Sequence, residues 1–380
     1  MIDRGAALEA VIRHADGADD GPDDDGPLDI AGLAGSGDVA LVPRVLEALR
    51  RFVGEKNFYG RDLMAGILAG IQGPGALPVL LKVAAHDLGD DQDSLASEIV
   101  QVISAHPVEA RAVAREFAGS GTPALRRTAL WALGHVGDER DRDLFEAALS
   151  DPDPEIVAVA VGGAPAALFD LVVRALGDFR EQVRVAAVSE LGYSGRVEAV
   201  APVAALAGDS SARIRTMVAY ALGRLGRPEG VPTLRKLIGD RDADVRERAV
   251  EALGSVSGAE AADALIALAG DEDPELRIPA AQAVAAVADP RVPDLLERLS
   301  RDEIPEVRAA LVVGLVTADA ERRPLVLRLA GDPDSTVRRR VATWVRRLAP
   351  EEAERILDGY GSDPDMMVRR VAAMERNRLG

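Results

Sequence analysis

The stretch DRDADVRERAVEALG, Asp240 to Gly254, offers two readings: an active site, or one copy of an architectural repeat. The rest of the chain decides between them. Aligned on the apolar residue before the arginine, Val183, Ile214, Val245, Leu276 and Val307 lie 31 residues apart, and Val337 and Val368 follow after 30 and 31. Upstream, Ile156, Leu125, Leu95 and Leu63 keep the phase with spacings of 27, 31, 30 and 32. A motif present in about ten or eleven copies cannot be as many active sites, so it reads as architecture.

Each feature of the motif has a local physical reason. Three residues before the anchor stands Thr122, Asp153, Ser211, Asp242, Asp273, Asp334 or Asp365, whose side chain can accept from a free N–H of a first helical turn. Pro123, Pro154, Pro274 and Pro305 come next, at the first helical position, where a missing N–H costs nothing. From the anchor, apolar residues recur at offsets 0, 4 and 8, as in Val245, Ala249 and Leu253, giving one buried stripe. Gly134, Gly192, Gly223 and Gly254 at offset 9 suit a helix end or a close crossing. A second amphipathic segment, such as VPTLRKLIGD from Val231 or ADALIALAGD from Ala262, completes a helical hairpin. One hairpin cannot bury both of its faces, so successive hairpins must stack.

Composition agrees with an all-α chain. Of 380 residues 48% are apolar and only 3% aromatic, with alanine and leucine dominant, which favours helices over strands. The absence of cysteine excludes disulfides, a thiolate nucleophile and cysteine-ligated metal clusters. The N-terminal MIDRGAALEAVIRHADG lacks the pattern of a secretion signal, and Ile156–Phe169, taken as the longest mostly apolar stretch, is too short to span a bilayer. A cytoplasmic protein without membrane contact is expected. The net charge of −18 repels phosphate backbones, so nucleic acid is an unlikely partner. Residues 301–380 are the exception, with 15 Arg against 14 acidic residues, including Arg338–Arg340, Arg346–Arg347 and Arg369–Arg370. These arginines could line a basic groove or simply face solvent.

The pattern in DRDADVRERAVEALG and DSSARIRTMVAYALG resembles the HEAT repeat, and its short period is similar to the HEAT-like units of phycobilin lyases. The resemblance covers about residues 90–378 well and 39–90 loosely. It implies a right-handed α-α superhelix, an α-solenoid, whose anchor-bearing helices line a concave surface. It also implies that the pairs Asp178/Arg184, Asp209/Arg215, Asp240/Arg246, Asp271/Arg277, Asp302/Arg308, Asp332/Arg338 and Asp363/Arg369 form a structural ladder. The chemistry agrees, because a partly buried guanidinium needs a carboxylate. Val157 interrupts the ladder, and irregular packing is expected around Gly162 and Gly163. The organisation expected is an N-terminal helix with an acidic disordered loop (1–38), an irregular solenoid part (39–165) and a regular part (166–380).

Function should sit where the repeat is ignored. On the concave face, Trp131, Tyr193, Met217, Tyr220, Arg224, Glu247, Arg248, Glu251 and Gln282 mix aromatic rings with charges of both signs, which suits a protein or peptide better than a phosphate track. Phe58, Tyr59, Arg61 and Asp62, with HDLGDDQD from His86, could form an N-terminal contact site or a specialised capping repeat. The acidic segment Ala15–Asp29 does not match a calcium loop, since glycines fall at the first and last ligand positions. The four histidines show no i/i+4 pair, and neither a nucleophile elbow nor a phosphate loop is present, so no metal, cofactor or catalytic residue is assigned. A noncatalytic scaffold holding a protein or peptide is the expected function. The resemblance keeps a chromophore-handling, lyase-like activity and a nucleic-acid-binding role as alternatives.

Overall fold

The structure is a computed structural model that describes residues 3–17, 29–86, 93–318 and 322–379. Every regular element among them is an α-helix or a 3-10 turn. The acidic loop and most of HDLGDDQD lie outside the described residues. The chain divides into two compact units, residues 1–187 and 188–380.

In the second unit, helices bearing the anchors alternate with shorter ones. Ala212–Leu225, Ala243–Ser255, Pro274–Val284, Pro305–Thr317, Ser335–Trp344 and Met366–Leu379 each pack on the next in the series. Val231–Ile238, Ala259–Leu268, Val292–Leu299, Arg323–Leu329 and Pro350–Tyr360 back them. The first unit repeats the scheme with Phe58–Gln72, Asp93–Ala105, Pro123–Val136 and Pro154–Gly162. The expected caps are all made: Thr122, Asp153, Ser211, Asp242, Asp273, Asp334 and Asp365 each accept from a main-chain N–H of the turn they start. Val245, Ala249 and Leu253 are fully buried, as the offset pattern requires.

The offset-9 glycines mark crossings between neighbouring anchor helices. A Cβ on Gly223 would stand 2.9 Å from the Ala252 Cβ, and one on Gly192 2.8 Å from that of Ala221, each alanine lying at offset 7 of the next repeat. At one crossing the two sizes are exchanged. Ala285 occupies offset 9, and its partner at offset 7 is Gly314, where a Cβ would fall 2.3 Å from the Gln282 carbonyl oxygen and 2.7 Å from the Ala285 Cβ. At these three crossings a glycine stands on one side or the other of the pair.

The acid and guanidinium groups join successive turns. Arg215 grips the Asp240 carboxylate through Nε (2.7 Å) and Nη2 (2.8 Å), while its Nη1 donates to the carbonyl of Asp209 in its own turn at 2.8 Å. Arg277–Asp302, Arg308–Asp332 and Arg338–Asp363 repeat the arrangement. Residues paired six apart in the sequence thus meet through the aspartate's main chain, and the carboxylate serves the arginine of the preceding repeat. The other carboxylate duty is local: Asp240 Oδ1 also accepts from the N–H of Asp242 at 2.9 Å. Arg246 departs from the pattern, reaching Glu275 at 2.7 Å instead of the Asp271 carboxylate. Arg184 and Arg369 bond the carbonyls of Asp178 and Asp363 in their own turns.

Where Val157 breaks the ladder, the gap is filled from the other side. Arg180 stands at the position that is a cap residue in other repeats, and its guanidinium holds the Asp178 carboxylate at 2.9 and 2.8 Å. Its Nη1 donates to the Asp151 carbonyl at 2.8 Å. These are the two acceptors that an arginine at 157 would serve. Irregularity is visible as well: the helix Pro154–Gly162 has only nine residues, and a Cβ on Gly134 would lie 2.6 Å from the Gly163 carbonyl oxygen.

One apolar stretch exceeds Ile156–Phe169, which corrects the sequence reading. Phe58–Ala84 is long and apolar enough to cross a membrane by length and composition, with a mean hydropathy of 1.5. Its helix breaks at Gly73 (φ +54°), and Met64, Ile67, Leu68, Leu77, Leu80 and Leu81 form the core of the first unit.

Candidate functional site

The residues assigned to the concave face fall in both compact units. In the second unit, the hydroxyls of Tyr193 and Tyr220 are 3.0 Å apart and their rings meet edge to face, 6.4 Å between centroids. The periodicity places them 27 residues apart on successive anchor helices, Tyr193 at the end of its helix and Tyr220 at offset 6 of the next. The Arg224 guanidinium lies over the Tyr193 ring at 4.7 Å, and that of Arg248 over Tyr220 at 6.0 Å. Arg248 is held from below by Glu251 at 2.6 Å. Arg224 has no carboxylate partner among the described residues. The bond to Tyr220 raises the pKa of the Tyr193 hydroxyl above the usual phenol value, so it stays a neutral donor or acceptor.

Tyr193 is 56% exposed, a large aromatic surface left to solvent. Tyr220, Gly223, Arg224, Arg248, Glu251, Ala252 and Ser255 line a cleft of about 120 Å³ beside it. Gly223 and Ala252 line it where the two helices cross closely, and Arg224 comes from one of these helices and Arg248 from the other. Met217 is half-buried and Glu247 exposed on these same two helices, and Gln282 is exposed on the next anchor helix, Pro274–Val284. Two aromatic rings, a guanidinium without a carboxylate partner among the described residues and one bridged Arg–Glu pair thus form a cradle on adjacent anchor helices.

Trp131 belongs to the first unit. It is half-buried against the core, with the His135 ring on its edge at 5.1 Å. With Ala84, Ala85, Ala96, Ile99, Thr128 and Val159 it bounds a cleft of about 280 Å³. Its indole serves packing as well as surface.

The N-terminal group is a joint between helices. Asn57 caps Phe58–Gln72 through the Gly60 N–H and donates to the Ala15 carbonyl at 2.7 Å, while Tyr59 bonds His14 at 3.1 Å. Both contacts tie this helix to Arg4–Ala15. Arg61 is fully buried, with Nε on Asp62 at 2.7 Å and its guanidinium over the Phe58 ring at 5.1 Å. A side chain without exposure cannot touch a partner, so Arg61 is removed from the contact residues proposed from the sequence. Gly60 is required because a Cβ would meet the Phe52 ring at 2.7 Å.

Sequence reasoning missed Phe179, 87% exposed on the turn before the Arg184 ladder position, with Arg180 stacked on its ring at 5.2 Å. Its signal was the replacement of a capping residue by Arg180 next to it.

A family profile described as HEAT repeats matches residues 88–163, 169–254, 231–316 and 292–377. No curated protein matches the chain. Solved structures similar to it include an engineered protein (16% identity, 82% of this chain and 95% of that one, TM-score 0.39). A leucine-rich repeat variant with a novel repetitive motif shows 23% identity over 67% and 87%, with a TM-score of 0.37. The CpcE–CpcF complex of phycocyanin lyase from Nostoc sp. PCC7120 shows 16% over 57% and 91%, with 0.35. With helical hairpins stacked through turn-to-turn Arg–Asp joints, and with the family profile matched across most of its length, this chain belongs to the HEAT-repeat family.

Proposed function

We propose that the protein is a noncatalytic interaction scaffold that holds a segment of a partner protein on the anchor-helix face of its second unit. The observation that carries this reading is the pair of exposed Tyr193 and half-buried Tyr220, its hydroxyls bonded at 3.0 Å and a guanidinium stacked on each ring. Aromatic groups fixed in this way bind without losing much side-chain freedom, which is why tyrosine and arginine dominate interface hot spots. HEAT repeats supply such extended surfaces without needing reactive groups. The residues concerned also depart from the repeat, so the fold does not account for them.

The test is capture of partners from the host with the wild-type protein and with Tyr193→Ala/Tyr220→Ala. A protein retained by the wild type and lost by the double variant, with thermal unfolding unchanged, is the expected result. Identical captured proteins from both baits would overturn the assignment, and a large loss of stability in the variant would make the tyrosines packing residues.

A further inference from the structure

The last two anchor helices are unlike the rest in charge. Ser335–Trp344, the following turn Val345–Arg347 and the helix Met366–Leu379 together contain nine arginines and one carboxylate, Glu375. In Ala243–Ser255, by contrast, Arg246 and Arg248 are outnumbered by Asp244, Glu247 and Glu251. Four acids of this region, Glu351, Glu352, Glu354 and Asp358, sit on the backing helix Pro350–Tyr360, and Asp332, Asp334, Asp363 and Asp365 stand in the turns that start the two anchor helices. Charge is therefore sorted between the two helices of the repeat.

Architecture uses only part of this basic set. Arg338 holds Asp363, Arg369 bonds the Asp363 carbonyl, Arg376 reaches Asp358, and Arg346 and Arg378 converge on Glu375. Glu375 is 5% exposed, so it is spent in that contact and offers no negative charge outside. Arg339, Arg340, Arg347 and Arg370 are exposed and have no carboxylate partner among the described residues. Arg339 and Arg370 occupy the same repeat position on helices packed side by side, roughly 8–10 Å between axes, so one ligand can reach both. Beside Arg370, three residues back and four on, are Met367 and Met374, 40% and 48% exposed. Methionine at an exposed stripe adapts to varied apolar side chains.

We infer that this face, bounded by Arg339, Arg347, Arg370 and Met374, docks an acidic protein segment with apolar side chains among its carboxylates. Planar guanidiniums take carboxylates in bidentate fashion, and the thioether stripe takes what lies between them. A phosphate track fits less well, because the methionines give a phosphodiester nothing. The surface shares no residue with the tyrosine cradle, and either can hold without the other.

The experiment measures anisotropy of a short fluorescein-labelled peptide of repeated Glu-Glu-Leu units with the full chain at low salt. Saturable binding is expected, weakened about tenfold or more by Arg339→Ala/Arg347→Ala/Arg370→Ala and by a Gln-Gln-Leu peptide, and falling as salt rises. The triple variant should melt with the wild type, because none of the three arginines makes an ion pair with the described residues. No binding below about millimolar peptide, or equal binding by the triple variant or by the glutamine peptide, overturns the inference. A DNA duplex that binds more tightly than the peptide and is lost in the triple variant would also overturn it, making the face a nucleic-acid surface.

Discussion

Removing Arg180 opens the joint that Val157 leaves unmade. Arg180→Ala deletes two hydrogen bonds to the Asp178 carboxylate and one to the Asp151 carbonyl, all between 2.8 and 2.9 Å. The Arg180 and Asp178 side chains are 15% and 16% exposed, so water replaces part of what is lost. Asp178 also keeps the Arg180 main-chain N–H. Breaking a buried pair costs about 3–5 kcal/mol and a charged hydrogen bond contributes about 1.5–3, so this partly solvated joint should lose about 2 kcal/mol. Hydrogen exchange read by mass spectrometry should then show amides of Pro154–Gly162 exchanging about 30-fold faster. The compensating variant is Val157→Arg in the Arg180→Ala background, which supplies a guanidinium at the usual offset from Asp151 and Asp178. It should recover at least half of the lost protection, although Val157 is fully buried and the larger side chain must thread to the turn. Unchanged exchange in Arg180→Ala, or protection lower in the double variant than in either single one, would refute the view that Arg180 substitutes for a missing ladder arginine.

Other outcomes follow from the same geometry. Gly314→Ala should destabilise by about 1–3 kcal/mol, since its Cβ would stand 2.3 Å from a backbone oxygen, whereas Gly162→Ala, with open space around it, should be neutral or slightly stabilising; denaturant midpoints compare them. Arg246→Ala should cost less than about 1 kcal/mol, because its partner Glu275 is 67% exposed, and a loss above 2 would show that Arg246 is tied into the buried joints. Asp240 and Asp363 have carboxyl pKa values held below the usual range by their hydrogen bonds to Arg215 and Arg338. Their folded values lie below the unfolded value of about 3.9, so their contribution is complete above that pH and is lost as pH falls through the folded values. Denaturant midpoints should drop below about pH 4, and Asp363→Asn should flatten that drop; an acid limb of unchanged depth in the variant would contradict the linkage.

The fold was legible because it repeats. One copy of DRDADVRERAVEALG says little, but capping residues, prolines and apolar offsets recurring together leave few alternatives to stacked hairpins, and every predicted cap is made. The ladder was legible as a set of residues but not as a wiring. Spacing alone pairs Asp240 with Arg246, whereas stacking gives the Asp240 carboxylate to Arg215 and only its carbonyl to Arg246. Arg180 escaped notice because its role depends on what is absent at 157. The site was legible in part: departures from the repeat pointed to Tyr193 and Tyr220, but a helical wheel cannot show that their hydroxyls meet. It also could not show that Arg61 faces inward, since burial of a charged side chain is decided by the neighbouring helices and not by its own.

Whether the repeated acid and guanidinium groups are joints between hairpins is decided by a double-mutant cycle on Arg308 and Asp332. The two side chains are 11% and 5% exposed and meet through two bonds of 2.8 Å. Local unfolding free energies of Arg308→Ala, Asp332→Ala and the double variant, taken from hydrogen exchange of the helices on either side, should give a coupling of about 2 kcal/mol or more. Additive losses, with a coupling under about 0.5 kcal/mol, would mean that packing alone holds the repeats together and that the recurring pair has another purpose.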